Sequence, residues 1–119
     1  MRTILVVDDE QQIRELVRLS LELVTDWKIA QARSGEEALA RVRIEAPDAI
    51  LLDYHMPDLD GLGTLARLRE EPANHSIPIL IYTADRHAFA GKPLPVGLAG
   101  VIYKPFNPAA LKEKIESLW

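Results

Sequence analysis

The chain has 119 residues, 48% of them hydrophobic and 27% charged, with a formal net charge of −4 and no cysteine. Such a chain forms a single globular domain, residues 1–119, with no disulfide, thiol nucleophile or thiolate metal site. Its Lys and Arg residues are scattered, which argues against direct nucleic-acid binding, and no apolar run approaches the ~18 residues of a membrane span.

Met1-Arg2-Thr3 leads straight into an apolar run and not into a secretory signal, so a cytoplasmic location is expected. That run, residues 4–7, reads as a buried strand. Ile13, Leu16, Val17, Ser20 and Val24 then mark a helical stripe, with Asp9 and Gln12 placed to act as a capping box at its start. Residues 27–32 carry polar Lys28 and Gln31 and suit an edge strand. Ser34-Gly35-Glu36-Glu37 is a capping box in which hydroxyl and carboxylate satisfy opposite backbone donors. It opens a helix with Ala38, Leu39 and Val42 inward.

Residues 49–52 form the next buried strand and stop on Asp53, a charge that costs several kcal/mol unless something compensates it. In the loop beyond, Asp58 is expected to be solvated and Asp60 to cap a helix bearing Leu62, Leu65 and Leu68. His75 falls in a loop, and residues 77–82 read as a fourth strand. The stretch DRHAFAGKPLPVGLAG, residues 85–100, contains Gly91, Pro93, Pro95 and Gly97 and cannot propagate a helix. At most a short turn over 85–90 is expected, then irregular chain. Residues 101–102 make a last short strand, and Asn107-Pro108 opens a helix with Leu111, Ile115 and Leu118 inward.

The order βαβαβαβ(α)βα predicts an α/β fold, a doubly wound parallel sheet with ligands bound beyond the carboxyl ends of its strands. The residues at those ends are Asp8-Asp9, Asp53, Thr83 and Lys104. Two carboxylates ~5 Å apart at an effective dielectric near 20 repel by roughly 3 kcal/mol. Three of them must therefore raise a pKa or recruit a cation. Hard oxygen donors without His or Cys favour Mg²⁺, and the adjacent ammonium and hydroxyl suit an anion. Cation site, anion-binding lysine and carboxylate nucleophile together suggest phosphoryl transfer to an aspartate.

Asp8-Asp9, Asp53-Tyr54-His55-Met56-Pro57 with Asp60-Gly61, Thr83-Ala84 and Lys104-Pro105-Phe106 occur in order along the whole chain. Together they resemble the receiver domain of two-component response regulators. The resemblance implies a flavodoxin-like (CheY-like) five-stranded sheet in strand order 2-1-3-4-5. It implies Asp53 as phosphoacceptor, Mg²⁺ held by Asp8, Asp9, Asp53 and the His55 backbone carbonyl, and Thr83 and Lys104 on the phosphoryl oxygens. It also implies a cis bond before Pro105, with His55 and Asp85 as modulators of phosphoryl lifetime. Its implied partners are a sensor histidine kinase or phosphotransfer protein and a downstream protein. Such a domain catalyses only its own modification, so it is a switch and not a turnover enzyme.

Two features depart from the family pattern. Val101 stands where receivers usually have an aromatic, with Tyr103 expected on the opposite face, and residues 85–100 replace the usual fourth helix. They keep open a receiver-like binding module that acts without phosphorylation. A phosphatase of the haloacid dehalogenase type would need an acid where His55 stands. A flavin protein would need a phosphate-cradling loop after the first strand, which here is acidic.

Overall fold

Five short runs of aliphatic residues pair in parallel, and their register brings four of their carboxyl ends level at one rim of the sheet. In the computed structural model, which describes residues 1–119, the order is β1 (Thr3–Val7), α1 (Gln11–Val24), β2 (Lys28–Ala32), α2 (Gly35–Glu45), β3 (Ala49–Asp53), α3 (Gly61–Glu70), a 3₁₀ turn (Pro72–Asn74), β4 (Ile79–Thr83), β5 (Gly100–Tyr103) and α4 (Pro108–Glu116). The strands lie in the order β2-β1-β3-β4-β5, the flavodoxin-like topology expected. Val7 pairs with Leu52, Asp53 with Tyr82 and Thr83 with Tyr103, so the residues after these positions gather together.

Alternation along each strand divides the core in two. Leu5, Val7, Ile50, Leu52, Ile79 and Ile81 meet α2 and α3 through Ala38, Val42, Leu65 and Leu68. On the other face Ile4, Val6, Leu51, Leu80 and Tyr82 meet α1 and α4 through Val17, Leu21, Leu111 and Ile115. Each fully buried Leu or Ile side chain contributes about 1.5–3 kcal/mol relative to exposure.

Several expectations need correction. The inward face of α1 is Ile13, Val17 and Leu21, while Leu16 and Val24 of the expected stripe are 55% and 37% exposed. The helix carries a second apolar row at Leu16, Leu19 and Leu23, so spacing alone left its rotation undecided. Asp9 is not the N-cap of α1. Asp8 Oδ1 accepts from the Glu10 N–H at 2.9 Å, and the helix begins after Glu10, which caps without a side-chain bond. Ser34 Oγ accepts from Glu37 N–H, but the Glu37 carboxylate reaches the Arg33 N–H, one residue before the expected donor. Trp27 precedes β2, and Ile77 and Pro78 precede β4. Asp60 and Asn107 cap α3 and α4 as expected, while Asp58 is exposed.

Residues 85–100 contain turns and no helix. Phe89 pins the segment to the core and packs edge-on against Tyr54 at 5.3 Å. Arg69 pins its far end. Its guanidinium donates to the carbonyls of Asn74 (2.5 Å), Ile77 (2.8 Å) and Gly97 (2.6 Å). Gly97 has φ +88°, and a Cβ there would lie 2.9 Å from Arg69 Nε, so glycine is required twice over. Arg69→Ala strands three carbonyls and is expected to cost about 1.5–3 kcal/mol. Urea denaturation with limited proteolysis checks this: the variant should unfold earlier and be cut first within 85–100.

Candidate functional site

Asp8 follows β1 and is fully buried. A buried carboxylate needs donors, and it has three. Oδ1 accepts from Glu10 N–H, while Oδ2 accepts from the Tyr82 hydroxyl at 2.5 Å and faces Lys104 Nζ at 3.5 Å. Asp53, 4% exposed at the end of β3, has Oδ1 3.3 Å from the same ammonium. Lys104 thus bridges the two acids, with its Nζ 4.4 Å above the Tyr82 ring. Its backbone N–H donates to Thr83 O at 2.8 Å, fixing the end of β5 to that of β4. The Lys104–Pro105 peptide is cis.

Thr83 is buried, and its Oγ1 accepts from Asp85 N–H at 3.0 Å, leaving its own hydrogen uncommitted. Asp85 Oδ1 in turn accepts from His87 N–H. His55 Nε2 lies 3.9 Å from Asp85 Oδ2, so the loops after β3 and β4 meet through these two half-exposed side chains. Asp9 is exposed beside Asp8, and Asp8, Asp9 and Glu10 can each present an oxygen within 4.8 Å of the others. Asp53 stands outside that trio and joins Asp8 through Lys104. Arg14 spends its guanidinium on the Asp8 backbone carbonyl and on Gln31, leaving the Asp8 carboxylate to Lys104.

Burial, and secondly the charge of Asp8, push the Asp53 carboxyl up from 3.8 to about 6, against the opposing pull of Lys104 and the His55 N–H. One ammonium therefore under-compensates the acids. A hard divalent cation fits this donor set, which is all oxygen and carries excess negative charge.

Two site residues escaped the sequence reading. Glu10 extends the acidic cluster, and Tyr82 reaches Asp8 from inside the α1/α4 core. The available signal was a phenol ending a buried run, since its hydroxyl must find a partner there. Tyr103 needs a correction too. Strand period puts it on the same face as Val101, where Val101 packs on the α2/α3 core and Arg86 covers the Tyr103 ring at 5.2 Å.

Comparison with known proteins bears on this arrangement. Residues 4–116 match the family described as the response regulator receiver domain. A probable transcriptional regulator, ycf27 of Cyanophora paradoxa, is 38% identical over 98% of this chain and 48% of its own length. The phosphate regulon transcriptional regulatory protein PhoB of Pseudomonas aeruginosa is 33% identical over 98% of this chain and 51% of its own. The chain spans about half the length of the curated relatives it matches. Among solved structures, response regulator TrrA from Thermotoga maritima, in complex with Mg²⁺-BeF, superposes with TM-score 0.87 at 34% identity over 100% of both chains. Chemotaxis response regulator CheY4 of Vibrio cholerae gives TM-score 0.88 at 29% identity, covering 100% of this chain and 99% of its own.

The raised carboxyl of Asp53 predicts how stability depends on pH. The folded chain keeps a proton on Asp53 between the ordinary 3.8 and about 6, where the unfolded chain has lost it. Stability present below that window is therefore lost as pH rises through about 6. Asp53→Asn should abolish this slope and, in EDTA at pH 7, be more stable by about 2–3 kcal/mol. Chemical denaturation across pH 4 to 8 checks it, and equal slopes in both proteins would contradict it.

Proposed function

Because this chain belongs to the response-regulator receiver family, we propose that residues 1–119 act as one phosphoacceptor switch of a two-component system, with Asp53 as the residue modified. The observation that carries this reading is the position of Lys104, shared between a buried aspartate at the end of β3 and another just past β1.

The donor is a phosphohistidine on a sensor kinase or phosphotransfer protein, or a small phosphodonor such as acetyl phosphate. An Asp53 carboxylate oxygen attacks phosphorus. The new O–P bond forms as the P–N or P–O bond of the donor breaks, and the electron pair leaves with the imidazole or acetate. Asp8, Asp9, Asp53 and the His55 backbone carbonyl would hold Mg²⁺, which when bound supplies positive charge beside the transferring oxygens. Lys104 exchanges its contact with Asp53 Oδ1 for a phosphoryl oxygen, a charge-assisted hydrogen bond made strong by burial. Thr83 donates its free hydroxyl hydrogen to another phosphoryl oxygen. Since Thr83 Oγ1 holds Asp85 N–H, its movement pulls on the start of residues 85–100. His55 and Asp85, which meet between the loops that follow β3 and β4, regulate water access to the acyl phosphate in this reading. Hydrolysis resets the switch, so the domain turns over no separate substrate.

The output of the whole protein is proposed by analogy with relatives named as transcriptional regulators. The chain itself binds no nucleic acid in this reading, and its signal passes to a protein partner or a following segment. A second reading, a binding module that signals unphosphorylated, is favoured by Val101 and by the absence of a helix in 85–100.

Incubation with Mg²⁺ and acetyl phosphate should add one phosphoryl group by intact mass, with none on Asp53→Asn. His55→Ala should change the dephosphorylation rate at least about two-fold by opening the water path. Full modification of Asp53→Asn would overturn Asp53 as the acceptor, and an unmodified wild type would favour the second reading.

A further inference from the structure

Tyr82 is fully buried in the α1/α4 core, where Phe or Leu would pack as well, yet its hydroxyl lies 2.5 Å from Asp8 Oδ2. The backbone carbonyl of Val7 is the weaker alternative at 3.5 Å. Burial and the Asp8 charge push the phenol up, so it remains a protonated donor. A carboxylate oxygen offers about two lone-pair sites. At Oδ2 of Asp8 the phenol and Lys104 occupy both, and Oδ1 already accepts from Glu10 N–H. A cation approaching Oδ2 therefore competes with the tyrosine, and one at the remaining Oδ1 site meets a carboxylate whose charge the phenol and the ammonium already draw on. The ring of the same residue lies under the Lys104 ammonium at 4.4 Å, which steadies the lysine between its two acids.

We propose that Tyr82 is a positioning residue that holds Asp8 with its hydroxyl and Lys104 with its ring, and thereby weakens the grip of the acidic cluster on a divalent cation. The inference rests on the phosphoacceptor reading, because it assigns Asp8 and Lys104 their roles there. Its consequence is a division of labour between hydroxyl and ring. The hydroxyl sets cation affinity, and the ring sets the reactivity of Asp53 once the cation is saturating.

Calorimetric titration of the unphosphorylated full chain with Mg²⁺ reads the first effect. Tyr82→Phe keeps the ring and the packing, and should bind Mg²⁺ at least about three-fold more tightly than wild type. Its phosphorylation rate from acetyl phosphate at saturating Mg²⁺ is the reference against which the ring is read. Tyr82→Leu removes the ring as well and should lower that saturated rate at least about three-fold below Tyr82→Phe. A merely structural role would weaken Mg²⁺ binding in step with lost stability. Unchanged or weaker Mg²⁺ binding by Tyr82→Phe overturns the inference while leaving the phosphoacceptor reading intact, provided wild type still gains its phosphoryl group. A wild type that takes up neither Mg²⁺ nor phosphoryl overturns both.

Discussion

Lys104 Nζ sits 3.3 Å from Asp53 and 3.5 Å from Asp8, and the rest of the site follows from how that ammonium is held. Two aspartates, each almost wholly excluded from water, could not share one rim of a sheet without a cation between them. The fold supplies the lysine from β5, tied to β4 through its backbone bond to Thr83, and supplies the acids from β1 and β3. A parallel sheet with level strand ends is what lets residues from four separate strands converge within a few ångströms. The compensation is deliberately incomplete in effect: the Asp53 carboxyl remains raised to about 6 despite the lysine. That residual imbalance is what a divalent cation can offset.

The strand ends were legible because aliphatic runs broke onto Asp8, Asp53, Thr83 and Lys104, and parallel topology places such breaks together. Caps were legible where one residue decides them, as at Asp60 and Asn107. What stayed hidden depended on contacts between distant segments. The rotation of α1 turned on which of two apolar rows met the sheet, and the row with Val17 and Leu21 won over Leu16 and Leu23. The start of the same helix was decided by the Asp8 side chain accepting from Glu10 N–H. Tyr82 lies in β4 like its aliphatic neighbours, and only the fold brings its hydroxyl to Asp8, 74 residues away in sequence.

Residues 85–100 show how a segment without a helix keeps a defined path. Phe89 is buried at one end, Arg69 ties the carbonyl of Gly97 at the other, and the Thr83–Asp85 contact joins its beginning to the site. Tyr103 shares the face of Val101 and lies against Arg86 from this segment, so an aromatic is present near the rim although not at the usual position. A change at Thr83 therefore has a short physical route into a surface loop, through the backbone N–H groups of Asp85 and then His87.

The shared lysine is tested most directly by a carboxyl ¹³C NMR titration of Asp53 in wild type and in Lys104→Met, both without divalent ions. The wild-type midpoint should fall at about 6 and that of the variant higher, because the ammonium is what holds the carboxyl down. A midpoint that does not move, or that falls, would contradict it.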